Sequence, residues 1–426
     1  MDSSIFTSIQ SFNFLMFVLF TLLYSYRFVY MFIAFRMKGR KRSVEHGNKL
    51  NKYAVIIAAR NEELVIGELI RSIKEQKYPE EYVDIFVVAD NCTDQTVQVA
   101  KEGGAIVRER FNKTRIGKGY ALDYIYKIIE KEYSFKNYDG YFVFDADNVL
   151  EENYIMEMNK TFNQGYRVIT SYRNSKNFGQ NWISAGYSLW FLHESEYLNL
   201  PRMTLNSSCA ISGTGFLVST DLIRDNGGWI HHLLTEDIEF SIDHIMKGEK
   251  IGYCKKAIFY DEQPVTLKQS WNQRLRWAKG FYQVFLRYGN NLTRQIFQGK
   301  GNRFSCYDMM MTIMPALLIS CISMVVNTCF YLTAIILEKS EIATVTNQAL
   351  FESFIGYYGL LCLIGLITTL TEWKNIHCSG PKKVSYVFTF PIFMFTYIPI
   401  AVVALFKKVS WKPISHTEVK ALEDIR

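Results

Sequence analysis

The chain has 426 residues, too many for one ordinary domain, and its mean hydropathy of −0.01 averages strongly apolar and strongly polar stretches. The net charge of +7 comes from lysines and arginines that flank apolar runs and would meet anionic lipid. The basic residues are not interleaved with aromatics in any recognisable module, which argues against a nucleic-acid partner. Eight cysteines without C-x-x-C spacing argue against structural zinc and against a disulfide framework.

The first apolar run, Phe12 to Phe35, carries a single charge, Arg27, and leads directly into a basic cluster, Arg36 to Arg42. A cleavable signal peptide would have its charge before the run and a small-residue site after it, so we expect a membrane anchor instead. The positive-inside rule puts the end of this span in the cytoplasm. Residues 1–42 are therefore predicted to form a transmembrane anchor with a basic flank.

The next region, residues 43–306, is predicted to lie on the cytoplasmic side and to alternate strands with helices. Short apolar runs typical of buried parallel strands occur at 53–59, 83–90, 105–110 and 138–147. Helical patterns separate them: one opens at Asn61 and Glu62 and ends before Pro79, one is capped by Thr93, and one covers 117–133. This alternation predicts an α/β domain with a parallel sheet and helices on both faces.

Carboxylates stand where two of these strands end. Ligands of parallel sheets bind at the carboxyl ends of the strands, which selects Asp90, Asp145 and Asp147. The D-x-D pair at 145–147 can hold a hard cation, Mg²⁺ or Mn²⁺, that keeps positions open for substrate phosphates. Lys118, in "GKG" at the start of a helix, could approach an anion.

Two later motifs add candidates. "SGTGFLVST" covers Ser212 to Thr220, and in "LLTEDIEF" Thr235 can cap a helix that begins at Glu236, where a carboxylate could act as general base for a sugar hydroxyl. "SWNQRLRWAKG" follows, and on a helix its side chains at Gln273, Arg276, Trp277 and Gly280 share one face.

Three further runs are long enough to cross a bilayer, namely Met309 to Leu337, Ser353 to Thr371 and Val384 to Phe406, so residues 307–406 are predicted to be a transmembrane region. Three crossings would export the tail, residues 407–426, although its lysines favour the inside. Either the tail is exported or one segment is a hairpin or interfacial. Pro391 and Pro399 make the last segment the weakest straight helix.

Four motifs, in their order along the chain, resemble the signature of processive membrane glycosyltransferases of family 2. They are "VADNCTD" with Asp90, "DAD" at 145–147, "TED" at 235–237 and "QRLRW" at 273–277. That group includes synthases of cellulose, mixed-linkage β-glucan, chitin oligosaccharides, hyaluronan and poly-N-acetylglucosamine. The likeness covers about residues 50–290 by motif and the flanking spans by arrangement. It implies a GT-A fold, which is a Rossmann-like, mostly parallel sheet, in a cytoplasmic domain with flanking transmembrane helices.

The resemblance also implies roles for single residues. Glu62 and Asp90 would contact the nucleoside, Lys118 the uracil or diphosphate, Asp145 the ribose and diphosphate side of the metal site, and Asp147 the metal. Asp237 would be the base, with Glu236 beside it. Gln273 and Arg276 would hold the diphosphate, and Trp277 and the loop of Gly213, Thr214 and Gly215 would shape the acceptor site. The sequence departs from the family at Arg60, which replaces an aromatic residue, and in having only Asp90 where the family has a pair.

We therefore expect an inverting synthase that adds sugar from a UDP-sugar, with UDP-glucose favoured, to a β-linked polymer such as a β-glucan, and that translocates the product. The alternative is a non-processive enzyme of the same family that glycosylates a membrane lipid once. With four spans, a second copy of the chain or an accessory protein would have to complete a channel.

Overall fold

The computed structural model describes residues 2–37, 49–299, 302–410, 416 and 418–425. Most of the basic cluster at 36–42, from residue 38 onward, lies outside these described residues. The centre of the molecule is an eight-stranded sheet with the order β3-β2-β1-β4-β7-β6-β8-β5. Its strands are β1 (Tyr53–Ala59), β2 (Val83–Asp90), β3 (Ile106–Arg110), β4 (Gly140–Asp145), β5 (Val149–Leu150), β6 (Val168–Ser175), β7 (Phe216–Ser219) and β8 (Ile251–Asp261).

The first half of the sheet has the predicted parallel arrangement. β1 pairs in parallel with β2 and β4, and β2 pairs in parallel with β3, so the carboxyl ends of these strands meet at one edge. The helices between them are α3 (Ile66–Lys74), α4 (Thr96–Glu102) and α5 (Lys118–Glu132). The residues of β1 are almost all buried, as expected for a strand covered on both faces.

The second half mixes directions. β7 runs antiparallel to β4 and β6, β5 runs antiparallel to β8, and β6 and β8 are parallel. The elements that connect these strands are α6 (Tyr154–Phe162), α7 (Trp182–His193), a π-helical segment (Glu194–Asn199), α8 (Leu200–Thr204), α9 (Thr220–Asp225) and α10 (Glu236–Met246). The whole is the mostly parallel, Rossmann-like GT-A fold that the sequence predicted.

Two helices precede the sheet, α1 (Asp2–Tyr24) and α2 (Tyr26–Met37). The predicted single span from Phe12 to Phe35 is wrong in its bounds, because the helix is interrupted at Ser25 and the stretch long enough to cross a membrane is Thr7–Tyr24. α2 instead packs on the π-helical segment and α8. The hydroxyl groups of Tyr26 and Tyr30 each donate to Asp308, which follows the sheet domain in the chain, at 2.8 Å. A bidentate ion pair between Arg202 and Asp308 completes this buried junction.

The chain after the sheet is helical. It forms α11 (Leu267–Gln298), α12 (Arg303–Ile313), α13 (Pro315–Ile336), α14 (Ser340–Thr371), α15 (Gly380–Phe395), α16 (Tyr397–Phe406) and α17 (Leu422–Ile425). Among the described residues, the apolar stretches long enough to cross a membrane are Thr7–Tyr24, Ser340–Thr371 and Gly380–Phe406. The predicted span 309–337 is divided between α12 and α13, which meet at Met314 and Pro315; α13 has 22 residues, and Ile322–Ile336 within it is apolar.

Several contacts hold the C-terminal helices against the sheet domain. After α14, the side chain of Asn174 donates to the carbonyl of Asn375 at 2.8 Å, and Lys382 donates to the carbonyl of Gly179 at 2.8 Å. Arg274 in α11 donates to the carbonyl of Phe393 at 3.1 Å, and Lys279 in α11 donates to the carbonyl of Ala404 at 3.0 Å. α15 therefore packs on α7 of the sheet domain, and α16 packs on α11.

The tail returns to the sheet domain as well. The backbone amide of Glu418 donates to Glu262 at 3.0 Å, its carboxylate accepts from Gln180 at 3.0 Å, and Ile425 packs against Val149 and Tyr260. The described part of the tail thus packs against the sheet domain, which favours the alternative in which one apolar segment is a hairpin or interfacial over an exported tail.

Candidate functional site

The D-x-D carboxylates lie at the carboxyl edge of the sheet, where β4 ends. Asp145 forms an ion pair with Lys118 at the start of α5, and the same ammonium group donates to the carbonyl of Gly213 at 2.8 Å. Lys118 therefore joins the D-x-D loop to the loop of Gly213, Thr214 and Gly215. Its partners, the carboxylate of Asp145 and the carbonyl of Gly213, both belong to residues that were predicted to form the site.

Asp147 is buried, and its carboxylate accepts hydrogen bonds from the backbone amide of Glu262 at 2.8 Å and from the side chain of Asn148 at 3.3 Å. Two carboxylates on one short loop are a donor set that suits a hard divalent cation. The residues present thus fit the magnesium or manganese ion that the sequence predicted.

The loop at 213–215 needs its glycines. Gly213 and Gly215 have φ angles of +79° and +65°, in the region that favours glycine, and a Cβ on Gly215 would lie 2.2 Å from the ring of Phe259. Thr214 accepts from the backbone amide of Asp145 at 2.9 Å and bonds to Asn148. A Cβ on Gly213 would lie 3.6 Å from the carboxylate of Asp237, so this loop lies between the D-x-D loop and "TED".

Glu236 and Asp237 begin α10 beside this loop. Burial and the charge of Asp237 raise the pKa of Glu236 to about 7. Burial also raises the pKa of Asp237, although the backbone amide of Ile238 and the cations of Arg276 and Lys118 oppose the shift. Thr235 is at the N-cap position of a helix that begins at Glu236, as predicted, but its side chain makes no capping hydrogen bond: its hydroxyl is buried without a hydrogen-bond partner among the described residues.

The "QRLRW" segment lies on α11, as predicted, and packs against "TED". Arg276 donates to the carbonyl of Leu234 at 3.0 Å, directly before the motif. A Cβ on Gly280 would come within 2.5 Å of the side chain of Thr235, so the absence of a side chain at 280 allows this close approach. The side-chain oxygen of Gln273 is buried without a hydrogen-bond partner in the described structure.

Trp277 belongs to an aromatic group at the junction of α7, α11 and α15. Its ring meets those of Tyr187 and Phe191 edge to face, with centroids 5.8 Å and 6.3 Å away. Phe393 and Tyr397 belong to the same cluster. The predicted acceptor residue is thus partly buried between the sheet domain and the apolar helices.

Glu62 and Asp90 lie at the same edge of the sheet, but each has a protein partner. His416 of the tail is 2.9 Å from the carboxylate of Glu62, and Arg110 at the end of β3 forms a buried ion pair with Asp90. Burial raises the pKa of both carboxyl groups, although His416 and Arg110 oppose the shift. Burial alone would lower the pKa of His416, but the carboxylates of Asp147, Glu62 and Glu262 raise it to about 10.

Sequence reasoning missed Arg110, Arg173 and His416. Arg110 could have been found, because it ends a strand next to the one that ends in Asp90. Arg173 forms an ion pair with Asp261 and donates to the carbonyl of Ser212 at 3.2 Å, but it lies on β6, which was not predicted. His416 carries no local signal, because it reaches the site from 354 residues away.

Comparison of the sequence with known protein families assigns the chain to one of them. The sequence model described as glycosyltransferase like family 2 matches residues 51–280, more than half of the chain. The chain therefore belongs to glycosyltransferase family 2 and is a glycosyltransferase.

The chain is similar to three curated relatives in particular. The probable glycosyltransferase YdaM of Bacillus subtilis is 26% identical over 269 residues, 57% of this chain and 58% of that protein. The beta-monoglucosyldiacylglycerol synthase of Nostoc sp. is 27% identical over 252 residues, 55% of this chain and 50% of that protein. The poly-beta-1,6-N-acetyl-D-glucosamine synthase of Staphylococcus aureus is 25% identical over 291 residues, 65% and 67% of the two chains. The chain thus spans between half and two thirds of these relatives.

Among solved structures, the fold is similar to that of the mannosyltransferase PcManGT from Pyrobaculum calidifontis, whose structure is a complex with GDP-Man and Mn²⁺. The TM-score is 0.55 at 15% identity, and the match covers 93% of this chain and 99% of that one. At this identity the similarity concerns the fold alone.

Proposed function

We propose that this glycosyltransferase is an inverting, membrane-associated synthase that moves a sugar from a UDP-sugar, UDP-glucose first, onto a growing β-linked polysaccharide, and that it translocates the product. The observation that carries the proposal is the meeting of Asp237, Lys118, Arg276 and the D-x-D pair around the loop at 213–215. A carboxylate, two cations and a carboxylate pair are the groups that transfer from a sugar diphosphate requires.

In the proposed reaction Asp237 takes the proton of an acceptor hydroxyl. The oxygen attacks the anomeric carbon from the face opposite UDP, and the bond from that carbon to the diphosphate breaks, with the electron pair leaving on UDP. Asp145 and Asp147 would hold Mg²⁺ or Mn²⁺, which when bound neutralises charge on the diphosphate. Lys118, Gln273 and Arg276 are donors for the same oxygens, because charge-assisted hydrogen bonds to phosphate are among the stronger ones.

A polymeric acceptor is favoured by Trp277. Its ring packs edge to face against the rings of Tyr187 and Phe191. Trp277 lies on α11, directly after Arg276, so its ring would offer a platform for a sugar face next to the proposed diphosphate donors. The similarity to a poly-beta-1,6-N-acetyl-D-glucosamine synthase supports the same choice. A chain that elongates a polymer must seat the terminal sugar again after each addition.

The second candidate is a single transfer to a membrane lipid. It is favoured by the similarity to beta-monoglucosyldiacylglycerol synthases, and by α15 and α16, which bring apolar helices against the aromatic group at Trp277. A lipid acceptor would be held mainly by its membrane-embedded tail, so it would depend less on an aromatic platform.

The test is to incubate the purified chain with labelled UDP-glucose or UDP-N-acetylglucosamine and membrane lipid, and to size the product. For the polymer proposal, Trp277→Ala should nearly abolish elongation, since a misplaced nucleophile costs about 10²-fold in rate. Release of UDP by hydrolysis should fall less, and Trp277→Phe, which keeps an aromatic face, should retain more activity. A parent enzyme that yields only singly glycosylated lipid, however long the incubation, would establish the second candidate instead.

A further inference from the structure

A cluster of metal-binding side chains lies outside the site described above. His231, in the loop between α9 and α10, meets Asp243 and His244 near the end of α10, and one nitrogen or oxygen of each lies within 4.8 Å of the others. We call these three residues the His231 cluster.

The ring of His231 is only 2% exposed, and its bonding is incomplete. Its Nε2 lies 3.1 Å from a carboxylate oxygen of Asp243, while its Nδ1 is buried with no hydrogen-bond partner among the residues that the structure describes. A buried polar atom without a partner is costly and calls for an explanation such as a bound ion.

His244 is arranged as a metal-binding histidine usually is. Its Nδ1 donates to the carbonyl of Phe240 at 2.8 Å, so its Nε2 carries the lone pair, which accepts a hydrogen bond from the side-chain amide of Asn226 at 2.7 Å.

We propose that the His231 cluster binds one Zn²⁺ or similar transition-metal ion, through His231, Asp243 and His244, with the amide oxygen of Asn226 or a water molecule as fourth ligand. Imidazole and carboxylate ligands suit such an ion. Three atoms no more than 4.8 Å apart place an ion at their centre within about 2.8 Å of each. Bonds of about 2.0–2.2 Å then need side-chain movements of less than about 1 Å.

Two existing contacts would have to yield. Asn226 now donates to Nε2 of His244 at 2.7 Å, and its amide would have to turn so that its oxygen faces the ion. Lys247 now donates to Asp243 at 2.8 Å, but its side chain is 51% exposed and can turn into solvent. The absence of paired cysteines does not bear on this site, because its ligands are histidines and a carboxylate. The ion also differs in class from the hard cation proposed at Asp145 and Asp147.

The ion would brace the helix that carries the proposed base. It would tie the loop before α10 to the end of α10, whose first residues are Glu236 and Asp237. The same loop packs on α5, since a Cβ on Gly119 would lie 2.3 Å from the carbonyl oxygen of His231. We expect the metal to stabilise this region without contacting substrate.

The experiment uses the full chain in detergent, freed of metal with a chelator and kept free of nucleotide. Co²⁺ is the spectroscopic probe, and Zn²⁺ is added in parallel thermal unfolding scans. We expect the strong visible d–d absorption of one four-coordinate Co²⁺ per chain, and a melting temperature that rises with Zn²⁺. His231→Gln and His244→Gln should bind at least about 10-fold more weakly.

The matched control is His232→Gln, a neighbouring histidine that stacks on Tyr120 with ring centroids 4.2 Å apart. It should bind Co²⁺ like the parent, and so should Asp147→Ala, which removes the proposed catalytic metal ligand. A parent chain that shows neither the Co²⁺ absorption nor the Zn²⁺-dependent melting shift would overturn the proposal whatever the variants do. So would a His232→Gln chain that loses binding as fully as His244→Gln. Neither result depends on sugar transfer.

Discussion

Adjacent carboxyl groups at 236 and 237 lie beside each other in the site, and the charge of Asp237 makes ionisation of Glu236 less favourable. Asp237 lies nearer the loop at 213–215, since a Cβ on Gly213 would reach its carboxylate. Asp237→Asn should therefore leave binding of UDP-sugar nearly intact and lower turnover by roughly 10²-fold or more, the usual scale of general-base catalysis. Turnover within threefold of the parent, in a folded protein, would remove Asp237 from that role.

The pH dependence tests the same pair. A general base works when deprotonated, so the raised pKa of Asp237 means that activity falls as the pH drops through the folded-state pKa of Asp237. The charge of Asp237 helps to raise the pKa of Glu236 to about 7, so Asp237 ionises first and Glu236 is still neutral while Asp237 titrates. Replacing Glu236 by Gln, which is also neutral, should therefore leave the acid limb of kcat/KM against pH in place. An acid limb that moves in this variant would contradict the assignment of the base to Asp237.

Sugar transfer should also depend on a divalent metal ion. Chelation should abolish transfer, and added Mg²⁺ or Mn²⁺ should restore it, because a divalent cation on the D-x-D pair neutralises the leaving diphosphate. Asp147→Ala should stay inactive at any metal concentration. Asp243→Asn serves as the comparison, because it alters a carboxylate of the His231 cluster and leaves the D-x-D pair intact. Full activity in excess chelator would exclude a catalytic metal at Asp145 and Asp147.

Among the elements, α11 connects two motifs that are far apart in sequence. A Cβ on Gly280 would lie 2.5 Å from Thr235, so Gly280→Ala should push "TED" away from its position and lower turnover by at least about 10-fold. Gly356→Ala in α14 is the control, because a Cβ there meets nothing within 4 Å. Adding Thr235→Gly should restore part of the activity, measured as a double-mutant cycle. Strictly additive losses would show that this contact is unimportant.

The elements differ in how far the sequence predicted them. β1, β2 and β4 are apolar runs with nearby turn signals, and the strand-end rule was enough to place Asp90, Asp145 and Asp147 at one edge. β5 has two residues, and β6 carries polar side chains such as Arg173 and Asn174, so neither has the apolar pattern of a buried strand. Their pairing depends on tertiary contacts that no local window contains.

The loop after α14 and the tail both contact the sheet domain, and these contacts predict the membrane topology of the whole molecule. Residues on the sheet domain, the tail and that loop should face one side of the membrane, and the turn between α13 and α14 the other. In a background without reactive cysteines, cysteines at Lys160 and Glu423 should react with an impermeant reagent from one side, and a cysteine at Glu338 from the opposite side. Labelling of 160 and 423 from opposite sides would refute this arrangement.

The sequence could not decide this topology. A hydropathy run shows that Gly380–Phe406 is long enough to cross, but it does not show that Arg274, Lys279 and Tyr282 of α11 hydrogen-bond to carbonyls along it. The contacts of the tail are similarly out of reach, because they join residues more than 150 positions apart. Long-range polar contacts to backbone carbonyls have no sequence signature.

α11 has 32 residues, a rod of about 48 Å, and it carries the proposed substrate-binding side chains on one part of its surface and the contacts with α16 on another. A change in the thickness or lateral pressure of the surrounding bilayer that shifts α16 would be transmitted along this rod to Arg276 and Trp277. The catalytic constants of this enzyme would then depend on the surrounding lipid as well as on the protein. They would differ between detergent micelles and bilayers of different acyl-chain length.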